Sequence, residues 1–257
     1  MTEVEWWRLK AAEINALAAR NAVVILPVGS TEQHGPHLPT QVDALLAGEI
    51  ARRAARKIAA TTPIVVAPTV WSGLAEHHMS LGGTLSLDFH AFFTLLQCLC
   101  RSMVRDGFRR ILILNGHGGN IMALNVAVNE LAVELEAPIA TTTYWLLAKD
   151  DFARILERQT TVRHACEAET SMLLALAPDL VDMSRASGAV GPTAPELVEV
   201  AGSDAVHRWR SFKVRTSHGA IGDPRTATAE KGQLLLEAAA QAVAGVCAND
   251  AFWTLPA

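Results

Sequence analysis

Short apolar segments alternate with helical patterns along this chain of 257 residues. The apolar segments lie at residues 23–26, 63–68, 110–114 and 139–143, and each is typical of a strand. Between them, apolar residues recur with helical spacing. Strands that alternate with helices in this way favour a parallel sheet covered by helices. We therefore predict an α/β fold: a single domain over residues 1–257 whose mostly parallel sheet is flanked by helices in an α/β/α sandwich.

Periodicity and helix-end signals place the other elements. They predict helices near residues 3–19, 43–59, 88–107, 121–135, 150–158, 167–177 and 227–246. In the first of these helices, Trp7 is expected on the buried face. Residues 184–225 are rich in glycine, proline, serine and threonine and show little periodicity. A loop of this length is expected to be functional or to pack against a partner subunit.

Composition argues against several kinds of partner. A formal net charge of −4 gives no reason to expect a nucleic acid or an anionic membrane as a partner. No apolar segment approaches the roughly 20 residues of a membrane span, and the first residues lack the pattern of a secretion signal. The four cysteines have no zinc-ribbon spacing and are expected to be reduced. We expect a cytoplasmic protein.

The loop after the first predicted strand carries a dense set of metal donors. Within residues 27–43 it contains Glu32, His34, His37 and Asp43. Carboxylate oxygens and imidazole nitrogens without a thiolate suit Zn, Mn or Fe. A polar loop with hydrogen-bonded histidines is the ordinary alternative, and Asp43 is also placed to cap the following helix. His37 is the weaker candidate, for which a structural role is expected.

Three further segments supply donor residues. His77 and His78 follow the second predicted strand, His117 follows the third, and residues 164–169 add a histidine and two glutamates. Loops at the carboxyl ends of parallel strands meet at one edge of the sheet, so these residues are expected to converge with the first loop. No single segment suffices, and the prediction of a metal site depends on this convergence.

Several motifs resemble those of one enzyme family. Residues 27–39 read PVGSTEQHGPHLP, residues 115–120 read NGHGGN and residues 164–171 read HACEAETS. Together with Asp43 they resemble the creatininase (creatinine amidohydrolase) family, and the resemblance extends over residues 22–245. It implies a cytoplasmic α/β amidohydrolase that depends on metal, is commonly hexameric and holds two metal ions in its active site.

The resemblance also implies a set of metal ligands. Glu32, Asp43 and His117 would hold one divalent ion, and His34 with Asp43 would hold the other, so that Asp43 bridges the two. Zn is the expected metal, with Mn or Fe as alternatives. Creatininase has a further glutamate ligand where this chain has Gly119.

Another carboxylate is then expected to complete the ligand set of the second ion. We expect Glu167 to be that ligand and to take part in catalysis, because relatives with two glycines after the metal-binding histidine tend to carry a glutamate there. Glu169 is expected to orient the site, to contact the substrate or to act as a ligand. Either carboxylate has a simpler alternative role, since negative charge is favoured in the first turn of a helix.

His164 aligns with the catalytic histidine of the family. The implied chemistry is hydrolysis of a C–N bond by a water molecule that two metal ions activate, with His164 protonating the departing nitrogen. Cys166 stands where relatives have glycine. A thiol hydrolase that uses Cys166 and His164 without a metal is an alternative, although a small buried residue is the ordinary explanation for this cysteine.

Four residues are expected to contact the substrate: Trp145, His78, Gly118 and Glu169. Creatininase places a second pocket tryptophan and a glutamate where this chain has Thr160 and Arg163. Creatinine itself is therefore not the expected substrate. Arg163 and Arg225 are candidates to bind a carboxylate or a phosphate of the substrate, and arginines of the protein surface are the ordinary alternative.

These features together predict a metal-dependent amidohydrolase that cleaves a C–N bond of a small cyclic or linear amide. It is expected to form a homo-oligomer, a hexamer by resemblance, and to bind neither nucleic acid nor membrane. Two other functions stay open. One is a peptidase or lactone hydrolase with the creatininase fold, and the other is a catalytically weak, metal-binding subunit of an assembly.

Overall fold

The computed structural model describes residues 2–192 and 208–254, which fold around a sheet of four strands. The strands are β1 (Val23–Val28), β2 (Ile64–Val66), β3 (Arg110–Asn115) and β4 (Ile139–Thr143). They pair in parallel in the order β2-β1-β3-β4. All four strands therefore end at the same edge of the sheet, and the loops that follow them lie side by side.

Helices follow the strands along the chain. The α-helices are α1 (Ala11–Ala19), α2 (Val42–Ile58), α3 (Phe89–Arg105), α4 (Ile121–Leu135), α5 (Tyr144–Leu147), α6 (Lys149–Ile155), α7 (Glu167–Leu176), α8 (Ala229–Ala248) and α9 (Asp250–Trp253). Short 3-10 helices lie at Trp6–Arg8, Glu76–Leu81, Gly118–Asn120, Pro178–Leu180, Met183–Ala189 and Phe212–Val214. Within the described ranges, none of the helices is both long and apolar enough to cross a membrane.

Alternate side chains of the strands point to opposite faces of the sheet. Val24 and Leu26 belong to a core that includes residues of α1, α3 and α4. Val23 and Ile25 belong to a second core, which includes residues of α2, α7 and α8. All four side chains are buried, which explains why the strands read as continuous apolar segments. The predicted α/β/α sandwich is confirmed.

The residue pattern of α2 explains both its buried face and its C-terminal end. In α2, Leu46, Ile50 and Ala54 recur every four residues and all are buried. Arg56 and Lys57 lie in the last turn of the same helix, where positive side chains interact favourably with the partial negative charge of the free carbonyl groups. This helix packs over β1, and its first turn therefore lies at the edge of the sheet where the loops meet.

The prediction of one continuous helix over residues 3–19 is wrong. Val4 is fully buried, and its carbonyl accepts a hydrogen bond from the N–H of Val66, so the chain begins as an extended segment beside β2. A 3-10 turn follows, and α1 starts only at Ala11. Trp7, expected in the core, is 65% exposed. A non-local contact with the sheet outweighs the local helical pattern here.

Candidate metal centre and active site

The loop after β1 is held tightly against the start of α2. A Cβ atom on Gly29 would lie 2.5 Å from the backbone of Ala44, so only glycine permits this approach. The close approach carries Glu32 and His34 toward the first turn of α2. Both side chains are almost completely buried.

Asp43 faces this loop from the first turn of α2. It is the second residue of the helix, and the N-cap position belongs to Gln41, so the alternative role of Asp43 as a cap is not realised. Its Oδ1 lies 3.1 Å from Nε2 of His34, and its Oδ2 lies 3.0 Å from Nδ1 of His117. The carboxylate thus lies between imidazoles from two different loops.

Among the described residues, six side chains form three overlapping groups of potential metal donors. The first donor group is Glu32, Asp43 and His117, the second is His34, Asp43 and Glu169, and the third is Glu32, His34 and His164. Within each group the donor atoms lie within 4.8 Å of one another. Ligands about 2.1 Å from one ion have a comparable spread. The convergence expected from the parallel sheet is therefore present in the structure.

Backbone carbonyls determine which nitrogen of each imidazole carries hydrogen. Nε2 of His117 lies 3.2 Å from the carbonyl oxygen of Leu74, and Nδ1 of His34 lies 2.9 Å from that of Glu32. A carbonyl only accepts, so both of these nitrogens are donors. When each ring is neutral, its other nitrogen presents a lone pair toward carboxylate oxygens. Metal-binding histidines are commonly oriented by a second hydrogen bond of this kind.

The carboxylates of Glu32 and Asp43 give the clearest indication that a cation belongs here. Both oxygens of Glu32 and Oδ2 of Asp43 are buried, and none has a hydrogen-bond partner in the described part of the chain. Nδ1 of His117 is 3.0 Å from Glu32 Oε2 and equally close to Asp43 Oδ2, but it forms a hydrogen bond with neither oxygen. A buried polar oxygen without a hydrogen bond is costly. A divalent cation would satisfy these atoms, so the donor set fits metal ions.

The ionisation of the donors agrees with this conclusion. Burial raises the pKa of Glu32 and raises the pKa of Glu169 to about 8. Burial alone would lower the pKa of His34, but the adjacent Asp43 carboxylate raises it to about 9. Without a cation the cluster therefore retains protons at neutral pH. Divalent ions would take the place of those protons, because metal ligands bind in their deprotonated forms.

Glu167, expected as a ligand and catalytic group, does not lie among the donors. Its carboxylate accepts hydrogen bonds from the backbone N–H groups of Glu157 and Arg158 and from Nζ of Lys231 at 2.6 Å. Burial would raise the pKa of Glu167, but these donors bring it below its usual value. The expectation for Glu167 is therefore corrected. Glu169, two residues further on, is the carboxylate of the second donor group.

A strained turn orients Glu169. Ala165 has a φ of +54°, a left-handed conformation that residues with a Cβ atom rarely adopt. In this conformation its N–H donates to Oε2 of Glu169 at 2.6 Å. Strain of this kind is commonly found at functional sites. Here it holds the carboxylate in the first turn of α7 at the donor cluster.

The two glycines after His117 have different surroundings. A Cβ atom on Gly119 would collide with Nε2 of His117 and lie 2.5 Å from the carbonyl oxygen of Leu74. A glutamate ligand at position 119 therefore cannot be accommodated in this backbone. A Cβ atom on Gly118 would meet nothing within 4 Å, and this residue lines the cavity described below.

Gln33 connects three segments of the site. Its Nε2 donates to Nδ1 of His78 at 2.8 Å and to the carbonyl of Gly219 at 3.0 Å, and its Oε1 accepts from the N–H of Gly35. Nε2 of His78 must then carry the hydrogen, and it lies 3.1 Å from Oε1 of Glu32. A Cβ atom on Gly219 would collide with Gln33, so this network requires glycine there.

His164 is positioned by the backbone of the same loop. Its Nε2 donates to the carbonyl of Gln33 at 2.7 Å, so the free Nδ1 faces Glu32, whose Oε1 is 3.5 Å away. Burial and the nearby His34 lower the pKa of His164 well below its usual value. The imidazole is therefore neutral at pH 7 and can accept a proton at Nδ1.

A cavity of about 650 Å³ opens onto these groups. All four residues expected to contact the substrate line it: Trp145, His78, Gly118 and Glu169. Arg163 lines it too, but Arg225 forms a two-point ion pair with Asp223, at 2.9 and 2.6 Å. The weaker histidine, His37, is buried with its Nε2 2.9 Å from Oγ1 of Thr170.

The sequence patterns did not identify the part of the cavity wall formed by residues 208–221. The ring of Phe212 lies 3.9 Å from the ring of His78 and 4.8 Å from that of His164, measured between centroids. Trp209 and Ile221 also line the cavity. The prediction for residues 184–225 was a loop that is functional or packs against a partner subunit, with Arg225 as its candidate for substrate binding. Residues 193–207 of this loop lie outside the described part. An aromatic residue in an otherwise polar loop was the available signal.

Cys166 is poorly suited to act as a nucleophile. Burial raises the pKa of its thiol to about 12, and Sγ accepts a hydrogen bond from the N–H of Arg163 at 3.2 Å. The thiol is therefore protonated at neutral pH. We expect Cys166→Ala to keep kcat/KM within about twofold of the wild type, because the substitution replaces neither a metal donor nor His164. Steady-state kinetics, with buried Cys100→Ala as the matched control, would support a thiol enzyme only if Cys166→Ala alone abolished turnover.

Comparison with known proteins identifies the family. The creatininase family, described as creatinine amidohydrolase, matches residues 7–247. This chain belongs to the creatininase family. The creatinine amidohydrolase of Pseudomonas putida is 32% identical over 94% of this chain and 93% of its own length. The mycofactocin precursor peptide peptidase of Mycolicibacterium smegmatis is 36% identical over 82% of this chain and 78% of its own length.

Solved structures of the family agree with this assignment. A structure named Creatininase Mn matches with a TM-score of 0.80 and 28% identity, covering 95% of this chain and 97% of that one. A mutant creatininase of the Zn-Zn type matches with a TM-score of 0.78 and 28% identity, covering 96% and 97%. As a creatininase-family member with metal-binding residues, the chain is a metal-dependent amidohydrolase, a hydrolase of carbon–nitrogen bonds.

Proposed function

We propose that this creatininase-family hydrolase cleaves the C–N bond of a small cyclic or linear amide at a site for two metal ions. Three buried carboxylate oxygens, both of Glu32 and Oδ2 of Asp43, carry the proposal, because they face imidazole nitrogens and have no hydrogen-bond partner among the described residues. In it, Glu32, Asp43 and His117 hold one ion, and His34, Asp43 and Glu169 hold the other. Asp43 bridges the two ions.

The donors are nitrogen and oxygen atoms, which suit Zn first and Mn or Fe as alternatives. The manganese and zinc creatininase structures support this choice. When bound, the ions would polarise the scissile carbonyl and make a water molecule acidic enough to attack at neutral pH.

His164 moves the proton in this proposal. Its neutral Nδ1 accepts the proton that the water molecule releases as its oxygen bonds to the carbonyl carbon. The imidazolium then returns this proton to the departing nitrogen as the C–N bond breaks, giving a carboxylic acid, which ionises at neutral pH, and an amine. The carbonyl of Gln33 keeps the ring oriented through Nε2. His164 thus acts first as a base and then as the acid that the family resemblance implied.

The cavity suits a small substrate. Its volume of about 650 Å³ is that of a small-molecule site, and Trp145 and Phe212 offer aromatic surface to a planar group. Gly119 and Arg163 replace groups of creatininase, so creatinine is not the proposed substrate. Peptide hydrolysis is the second candidate, which the 36% identity to a mycofactocin precursor peptide peptidase favours. A hexamer in the cytoplasm stays a proposal from the family resemblance.

Metal analysis combined with an amide panel tests the proposal. The purified protein would be loaded with Zn, Mn or Fe, and the bound metal counted by elemental analysis. Release of amine, ammonia or formate would then be followed over cyclic amides, linear amides and short peptides. We expect two ions per chain and turnover that a chelator removes and added metal restores. Turnover that survives chelation, or a loaded protein with two ions and no turnover on any amide, would contradict it.

The two glutamates of α7 allow a matched test of the ligand assignment. We expect Glu169→Gln to lower the metal content from two ions to one and kcat/KM by at least about tenfold. Glu167→Gln should keep both ions but cost about 1–3 kcal/mol of unfolding free energy, because an amide cannot accept from all the donors that surround the buried carboxylate. Lys231 keeps its contacts with Glu157 and the Thr226 carbonyl, so its charge stays paired. Elemental analysis and urea unfolding measure the two effects. The reverse pattern would restore Glu167 as the ligand.

A further inference from the structure

Arg163 directly precedes the catalytic His164 and lines the same cavity. Its Nη1 is buried and has no hydrogen-bond partner in the part of the chain that the structure describes. A buried cationic donor without a partner is costly, and proteins rarely leave one unpaired. The ligand that enters the cavity is therefore the natural source of the missing acceptor.

Outside the donor cluster, arginines outnumber acidic residues among the described residues of the cavity wall. Apart from the metal-donor carboxylates, the charged residues that line the cavity within the described ranges are four arginines and two acidic residues. The arginines are Arg163, Arg208, Arg210 and Arg215, and the acidic residues are Glu76 and Asp88. Both acidic side chains are exposed, and Asp88 already accepts a hydrogen bond at the start of α3. The outer part of the cavity thus holds more arginines than carboxylates, although Arg210 and Arg215 already have partners.

Local packing holds the stem of Arg163 in place. Its N–H donates to Sγ of Cys166. Gly222, with a φ of +122°, passes so close that a Cβ atom there would lie 3.3 Å from Cβ of Arg163 and 2.8 Å from Cβ of Cys166. The backbone from which Arg163 reaches the cavity wall is therefore fixed, which lowers the entropic cost of binding.

We propose that the substrate carries an oxyanion, a carboxylate or a phosphate, and that Arg163 binds it within the active-site cavity. This inference rests on the proposed function, because it assigns a substrate class to the same cavity. The planar guanidinium matches such groups with two parallel hydrogen bonds. An amide with an oxyanion close to the scissile bond, such as an N-acyl amino acid or a peptide end, fits both features. Arg225, the other sequence candidate, is occupied by Asp223 and lies outside the lining.

Three benzamides that differ in one group provide the test. N-benzoylglycine carries a carboxylate, N-benzoylaminomethylphosphonate carries a phosphonate, and N-ethylbenzamide is neutral. Calorimetric titration of the metal-loaded protein gives the affinity for each, and benzoate release gives turnover. We expect at least one anion to bind at least about tenfold more tightly than the neutral amide. Arg163→Gln should reduce that preference by roughly ten- to a hundredfold, whereas Arg225→Gln, the matched control, should keep it.

The outcomes separate this inference from the proposed function. Equal affinity for the three compounds, no binding of either anion, or a preference that survives Arg163→Gln would overturn the inference. If an Arg163-dependent preference is present but no amide is ever hydrolysed, the proposed function fails and the anion site stands. If an amide is hydrolysed but no anion preference is found, the proposed function stands and the anion site fails. The anion that binds with the higher affinity indicates whether the substrate carries a carboxylate or a phosphate.

Discussion

Replacing Asp43 with alanine is expected to remove both metal ions and to lower kcat/KM by at least about a thousandfold. Asp43 is the residue common to the first and second donor groups. Its two oxygens lie 3.1 Å from His34 and 3.0 Å from His117, on different loops. Without the ions, water keeps a pKa near 15.7 instead of about 7, so the nucleophile is lost at neutral pH.

A control on the same helix separates the effect of losing a negative charge from the effect of losing the ligand that bridges the two ions. Glu49→Ala also removes a carboxylate from α2, but within the described ranges Glu49 pairs with Arg52 and Arg53 near the surface and not with a metal donor. It should keep both ions and full turnover. Asp43→Asn preserves the shape of the side chain and tests whether a folded protein loses the metal, with circular dichroism as the check on folding. Two ions in a folded Asp43 variant, or near-normal turnover, would reject the bridging role.

The fold was predictable where local periodicity and tertiary packing agree. The predicted strand at 139–143 and the predicted helix at 121–135 coincide with β4 and α4, because each has a regular apolar pattern that the sheet or its cover also requires. The first residues differ. Their helical spacing competes with the burial of Val4 beside β2, and sequence spacing carries no information about that non-local contact.

The site was predictable at the level of loops and not of every side chain. Parallel strands bring the loops of Glu32 and His117 together, and this follows from the order of elements alone. The choice between Glu167 and Glu169 does not. Two helical residues apart, they point about 200° away from each other. Contacts with other segments decide between them: Lys231 and the backbone of residues 157–158 hold Glu167, and the turn at Ala165 holds Glu169. The part of the cavity wall around residue 212 could not be predicted either, because its segment shows no hydrophobic periodicity.

Replacing His164 with alanine is expected to lower kcat by roughly a hundred- to ten-thousandfold while both metal ions stay bound. Its Nε2 is committed to the Gln33 carbonyl at 2.7 Å, and its Nδ1 is the free nitrogen at the cavity. Loss of this nitrogen removes the only step in the proposal that carries a proton to the departing amine. Single-turnover kinetics and elemental analysis on the same sample measure both quantities.

Metal content is the decisive reading, because His164 also belongs to the third donor group with Glu32 and His34. If His164 were a ligand, His164→Ala would lose an ion, and added metal would restore part of the rate. If it carries the proton, the ions stay, and added imidazole should restore part of the rate instead. The exposed His90→Ala serves as the matched control and should change neither quantity. The geometry favours the proton role, since Nδ1 stands 3.5 Å from Glu32 Oε1, whereas the ring nitrogens of His34 and His117 approach carboxylate oxygens to 3.1 and 3.0 Å.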